Sequence, residues 1–286
     1  MEYFDTHMHL DDEKFDIDRE EVIKEIFTSG VTKCINIGTN VKNSKKSIEI
    51  ANNHDFIYCS CGLHPEDIPQ NEDKLWKNIS AIKELAASNK KVVAIGEIGL
   101  DYYWRQDNKE LQKKAFIKQI EIANELKLPI SIHTRDSIDD TIAIIRSIKI
   151  ENSGVLHCCP FNPELVKHAL EAGLYIAFGG TCTFKNSKNA GKIVEMVPID
   201  KMLIETDSPY LAPEPVRGTR NDSSNLKYIV QKLAEYKELT QQEIAKTTYK
   251  NAERLFLNAN EAVNAVNGDV LFWPPLVLKL NKNNKV

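Results

Sequence analysis

A single-domain (β/α)8 barrel of the TIM type is the fold this sequence predicts, and three observations predict it. Short apolar runs alternate with amphipathic helical stretches eight times. The runs are continuous, as parallel strands covered on both faces must be. The alternation fills about 250 residues, the usual span of such a barrel. An open doubly wound sheet shares the alternation, but no G-x-G-x-x-G follows the first strand here.

The chain opens on an apolar strand, Met1 to Thr6, that runs straight into His7-x-His9. A helix follows from Asp18 to Ser29, with Val22, Ile23, Ile26 and Phe27 on its apolar face and Gly30 as its stop. Thr32 to Ile37 reads as the second strand, Lys42 to Asn53 as a helix, and Phe56 to Cys61 as the third strand, which ends in Gly62-Leu63-His64-Pro65. A helix from Asp73 to Ser88 leads to the fourth strand, Lys91 to Ile95, with an exit loop of Gly96-Glu97-Ile98-Gly99-Leu100-Asp101-Tyr102-Tyr103. The long amphipathic helix Lys109 to Leu126 precedes the fifth strand, Pro129 to His133, and the helix Ser137 to Ile148 precedes the sixth, Gly154 to His157. A short helix, Pro163 to Glu171, leads to the seventh strand, Leu174 to Phe178, closed by Gly179-Gly180-Thr181. Met202 to Asp207 is the eighth strand, and helices over Asn225 to Tyr236 and Gln241 to Leu257 complete a barrel domain of residues 1–257. Residues 258–286 fall outside the repeat as a C-terminal extension, apolar around Leu271-Phe272-Trp273 and with a polar, frayed end.

Composition excludes several classes. With 42% hydrophobic and 27% charged residues, the chain is an ordinary globular protein. A net charge of −4 is not that of a strongly basic nucleic-acid binder, so any phosphodiester must be held locally by metals and a few arginines. No signal peptide and no membrane-spanning run is visible, and the six cysteines include no C-x-x-C pair. Buried free thiols in a reducing cytoplasm are the expectation.

The residues able to bind metal fall at strand C-termini: His7 and His9 after the first strand, Glu97 after the fourth, His133 and His157 ending the fifth and sixth, Asp207 ending the eighth. In a barrel those ends converge on one mouth, where active sites sit. His7 and His9, at i and i+2, face the same way from an extended strand. Six ligands with two acids suit two divalent ions, one taking His7, His9, Glu97 and Asp207, the other Glu97, His133 and His157. The nitrogen and oxygen donors fit zinc, manganese or magnesium. Such a pair activates a water, and Asp207 is placed to take its proton.

Tyr-Phe-Asp-Thr-His-Met-His-Leu-Asp, Gly-Glu-Ile-Gly-Leu-Asp-Tyr, Pro-Ile-Ser-Ile-His-Thr-Arg-Asp, Leu-His-Cys and Glu-Thr-Asp-Ser-Pro-Tyr-Leu resemble, in order and spacing, the motifs of the TatD family of metal-dependent deoxyribonucleases, within the amidohydrolase-like superfamily. The resemblance runs from Met1 to about Phe256. It implies the same six metal ligands, hydrolysis of DNA phosphodiesters, often as a 3′-to-5′ exonuclease, and a DNA substrate with single-stranded or frayed ends. Where many members read His-Cys-Phe-Ser-Gly, this chain has His157-Cys158-Cys159-Pro160-Phe161, which keeps the ligand and changes the loop.

Further substrate-binding candidates surround that set. His64 faces the same mouth and is suited to a phosphate oxygen or the leaving group. Arg217 and Arg220, in Arg-Gly-Thr-Arg-Asn, resemble a similar family segment, and guanidinium forks suit phosphate. Arg135 follows His133, and Tyr102, Tyr103 and Trp104 offer rings for base stacking. Asp5 and Glu205 share strand faces with ligands and are placed to orient them. The competing functions are a hydrolase of another ester or amide, including misacylated transfer RNA, and a non-catalytic scaffold. Superfamily members of the former kind often carry a carbamylated lysine where this chain has Glu97. A scaffold has no use for two carboxylates and four histidines buried without ions.

Overall fold

The structure, a computed structural model, describes residues 1–257; the extension expected over 258–286 lies outside the described residues. Eight parallel strands form one sheet in sequential order. They are β1 (Tyr3–Met8), β2 (Val31–Ile37), β3 (Ile57–Cys61), β4 (Val92–Asp101), β5 (Ile130–Arg135), β6 (Gly154–Leu156), β7 (Tyr175–Phe178) and β8 (Met202–Ile204). Between and after them run α1 (Arg19–Thr28), α2 (Val41–Asn53), α3 (Glu72–Ser88), α4 (Lys109–Leu126), α5 (Ile138–Ser147), α6 (Pro163–Glu171), α7 (Ala190–Met196), α8 (Leu226–Lys237) and α9 (Gln241–Phe256). This is the (β/α)8 barrel that the alternation predicts.

The seam between β1 and β8 is closed by a few contacts near the mouth. Met8 bridges Ser208, the Asp207 amide donates to the His7 carbonyl at 2.9 Å, and the His9 amide donates to the Ser208 carbonyl at 2.8 Å. Asp5, fully buried, accepts from the Thr206 amide at 3.0 Å and its hydroxyl at 2.6 Å. The opposite end is plugged by α9. Phe4, Val93, Val155 and Leu203, each the second residue of its strand, share one buried cluster with Leu255 and Phe256. A larger apolar layer lies between the strands and the outer helices. The floor is therefore hydrophobic, and polar chemistry is left to the mouth.

Several boundaries differ from expectation for physical reasons. β4 does not stop at Ile95 but continues through Asp101. Gly96 and Gly99, which read as loop residues, are there because β5 passes too close for a side chain. A Cβ on Gly96 would lie 2.6 Å from that of Ser131, and one on Gly99 would lie 2.0 Å from the His133 carbonyl oxygen. β8 ends at Ile204, short of Asp207, whose φ of 56° turns the chain out of the strand. α7 has no counterpart in the sequence reading, and Phe27, placed there on an apolar face, is half-exposed against Phe56.

Gly99 combines a positive φ of 143° with that close approach. Gly99→Ala is expected to destabilise the barrel by about 3–5 kcal/mol. A thermal melt followed by circular dichroism checks this; a melting temperature within a degree or two of the parent contradicts it.

Candidate metal centre

The ends of β1, β5 and β6, the middle of β4 and the turn after β8 bring six predicted side chains into one cluster. His7 Nε2 faces His9 Nε2 at 3.2 Å, Glu97 Oε2 at 3.4 Å and Asp207 Oδ1 at 3.7 Å. His9 Nε2 lies 3.4 Å from Asp207 Oδ1 and 3.9 Å from Glu97 Oε2. The other oxygen of Glu97, Oε1, meets His133 Nδ1 at 2.8 Å and His157 Nε2 at 2.9 Å. The rings of His7 and His157 stack, centroids 3.7 Å apart.

The ring orientations are set from behind. His9 Nδ1 donates to the Ile37 carbonyl at 3.3 Å, which turns Nε2 inward. His133 Nε2 donates to Asp101 Oδ2 at 3.0 Å, which turns Nδ1 toward Glu97. His157 Nδ1 lies 3.5 Å from Glu205 Oε1, and that oxygen also accepts from the Cys158 amide at 2.5 Å. His7, His157 and Glu205 also form a close group. Glu205 sits behind the His157 ring, away from the nitrogen that meets Glu97, so it is an orienting residue.

The donor set fits divalent ions. Donors held at 2.0–2.1 Å in a tetrahedron stand about 3.3 Å apart. The contacts among His7, His9, Glu97 and Asp207 run from 3.2 to 3.9 Å. Burial opposes ionisation of Glu97, but the charges of His157, His64 and His7 and the bond from His133 hold its carboxyl well below the usual range. Burial likewise opposes ionisation of Asp207, and the bond from His9 with neighbouring imidazole charge holds it low. Burial and the neighbouring His157 push His7 down, whereas against their own burial the nearby carboxylates Asp207, Asp101, Glu97 and Glu205 hold His9, His133 and His157 up. Buried carboxylates that draw positive charge toward themselves are equally served by a cation among the imidazoles, which adds charge without adding protons. Asp5 behaves differently: burial raises its carboxyl to about 7 against the pull of its hydrogen bonds.

The outlying candidates divide. His64 joins the centre, with Nε2 3.5 Å from Glu97 Oε1, while its Nδ1 accepts from the Glu66 amide at 3.2 Å. Arg135 lies over the Tyr103 ring at 3.9 Å and Arg217 over Phe184 at 4.0 Å; among the described residues neither has a carboxylate partner. Arg220, read as a phosphate ligand, forks onto both oxygens of Asp18 at 2.6 and 2.8 Å and donates to the Lys14 carbonyl. Tyr102, read as a stacking ring, is buried, with its hydroxyl donating to Asp140 at 2.7 Å and Lys109 over its face. The exposed rings are those of its neighbours Tyr103 and Trp104.

Two contributors escaped the sequence reading. Asp101 orients His133; Glu97, Gly99 and Asp101 fall at i, i+2 and i+4, a signal that exists only once β4 is extended through them. Asn36 accepts from the Leu10 amide at 2.5 Å and donates to Asp11 at 3.0 Å, fixing the turn after His9. No short-range pattern in the sequence marks it.

Comparison with known proteins agrees with this geometry. The model of the TatD related DNase family matches residues 4–257. The chain is 42% identical over 256 residues to the uncharacterized metal-dependent hydrolase YabD of Bacillus subtilis, covering 88% of this chain and 98% of that protein. It is 32% identical over 261 residues to the 3′-5′ ssDNA/RNA exonuclease TatD of Escherichia fergusonii, covering 88% and 98%. Among solved structures, the TatD homologue YjjV of Escherichia coli superposes with a TM-score of 0.83 at 26% identity, over 89% of this chain and 97% of that one. A barrel with imidazoles and carboxylates at its mouth, matched along nearly all its described length, places this chain in the TatD family of metal-dependent hydrolases.

Proposed function

We propose that this protein hydrolyses phosphodiester bonds in DNA at single-stranded or frayed ends, with two divalent cations (zinc, manganese or magnesium) held by His7, His9, Glu97, His133, His157 and Asp207. The observation that carries this reading is the division of Glu97: Oε2 faces His7 and His9, and Oε1 faces His133 and His157. A carboxylate shared between two imidazole pairs could serve an ion on each side, which is why two ions are proposed. The relative named as a 3′-5′ exonuclease on single-stranded DNA and RNA supports the choice of substrate. When bound, such ions supply a water activated at neutral pH and polarise a phosphoryl oxygen.

The chain's own groups do the rest. Asp207 is the more open carboxylate, 17% exposed at its side chain against 5% for Glu97, so it is the one that accepts the water's proton. His64 Nδ1 already accepts from a backbone amide, so its Nε2 carries hydrogen and donates to a phosphate oxygen. Arg135 and Arg217 present guanidinium edges to the backbone phosphates. Arg220 belongs to the scaffold, clamping the loop after β8 to that after β1.

The test is a substrate panel of single- and double-stranded DNA, RNA, charged transfer RNA and bis-p-nitrophenyl phosphate, with metal analysis. EDTA is expected to abolish hydrolysis, and Mn2+, Mg2+ or Zn2+ to restore it; full activity after chelation with no metal detected refutes the reading. Asp207→Asn is expected to lower kcat about 10²- to 10⁴-fold with the fold intact; wild-type turnover removes Asp207 from its role. Asp101→Asn is expected to weaken metal affinity about 10- to 100-fold, because His133 loses its orienting acceptor. Competition against a chromogenic chelator measures this, and unchanged affinity counts against it.

A further inference from the structure

The loop after β4 carries two large rings that the barrel core does not use. Tyr103 is 52% and Trp104 58% exposed. They meet edge to face, centroids 4.8 Å apart, and Arg135 lies 3.9 Å from the Tyr103 centroid and 5.5 Å from that of Trp104. Their backbone is fixed to the candidate centre. Asp101 Oδ1 accepts the amides of both Tyr103 and Trp104 at 2.9 Å, while its Oδ2 holds His133. The next residue, Arg105, donates to the Glu66 carbonyl at 3.3 Å, tying the loop to the segment that carries His64. One buried carboxylate thus sets the distance from the rings to the reacting end of the barrel.

A guanidinium with no carboxylate partner among the described residues, beside open ring faces at a phosphodiesterase mouth, matches one nucleotide: phosphate on the cation, base on the ring. Arg135 covers a face of Tyr103, which leaves the indole as the wider open surface. We propose that Trp104, braced by Tyr103 and Arg135, is a base-stacking subsite for a nucleotide flanking the scissile bond in single-stranded nucleic acid. The proposal rests on the phosphodiesterase reading above. Every base has a π face, so the subsite is indifferent to sequence. A paired base cannot reach it, so it selects single strands and frayed ends.

The test uses the full-length protein and a 12-nucleotide oligothymidylate with phosphorothioate linkages to slow hydrolysis. Binding is expected to quench a tryptophan fluorescence component that is absent from Trp104→Phe. Trp104→Ala is expected to raise Kd roughly 5- to 100-fold, and Trp104→Phe to keep most of the affinity. Replacing the stacked base by an abasic spacer is expected to cost the parent protein the same factor and the Trp104→Ala variant nothing more. A protein that cleaves single-stranded DNA with no quench and no abasic penalty overturns the subsite and leaves the phosphodiesterase reading standing. A protein that neither binds nor cleaves oligonucleotides overturns both.

Discussion

A buried carboxylate must be given positive charge, and the arrangement of this molecule follows from how Glu97 receives it. Its two oxygens stand among imidazoles that arrive from β1, β5 and β6 and from the segment after β3. No stretch of local sequence can gather such a set. A closed parallel barrel can, because every strand ends at the same mouth. The hydrophobic floor under α9 and the polar mouth are thus two parts of one solution: the first supplies the stability that the second draws on.

The mouth is ordered in two layers. His9, His133 and His157 each have a ring nitrogen directed outward, toward the Ile37 carbonyl, Asp101 and Glu205. With the outward nitrogens of His9 and His133 hydrogen-bonded, their inward ones are fixed in direction, while Glu205 stands 3.5 Å behind His157. Asp101 serves both layers, since the oxygen that does not hold His133 gathers the amides of Tyr103 and Trp104. The candidate chemistry and the rim where a polymer would lie are therefore joined through a single side chain.

Much of this was legible in the sequence, because the six ligand candidates each close an apolar run or follow one closely. What escaped depends on contacts between distant segments. Gly96 and Gly99 look like loop residues until β5 is seen beside them; with the strand cut short, Asp101 could not be placed on the face of Glu97. The choice among Tyr102, Tyr103 and Trp104 turned on Asp140, which takes the Tyr102 hydroxyl inward. Arg220 gave no local sign that its partner lies 202 residues earlier. α7 was hidden by the polar lead-in from Lys185 to Asn189, which outweighs its three buried apolar residues, Ala190, Ile193 and Val194.

The seam between the first and last strands has a consequence for how the protein is made. Asp5 and His7 meet Thr206 and Asp207 across some two hundred positions of chain, and those contacts complete both the barrel and the candidate ligand set. A ribosome releasing the polypeptide from its N-terminus has exposed two histidines long before their acidic counterpart emerges. Until then the nascent segment holds only part of the candidate set, so an ion bound there would gain its full complement of donors only once the eighth repeat has been made.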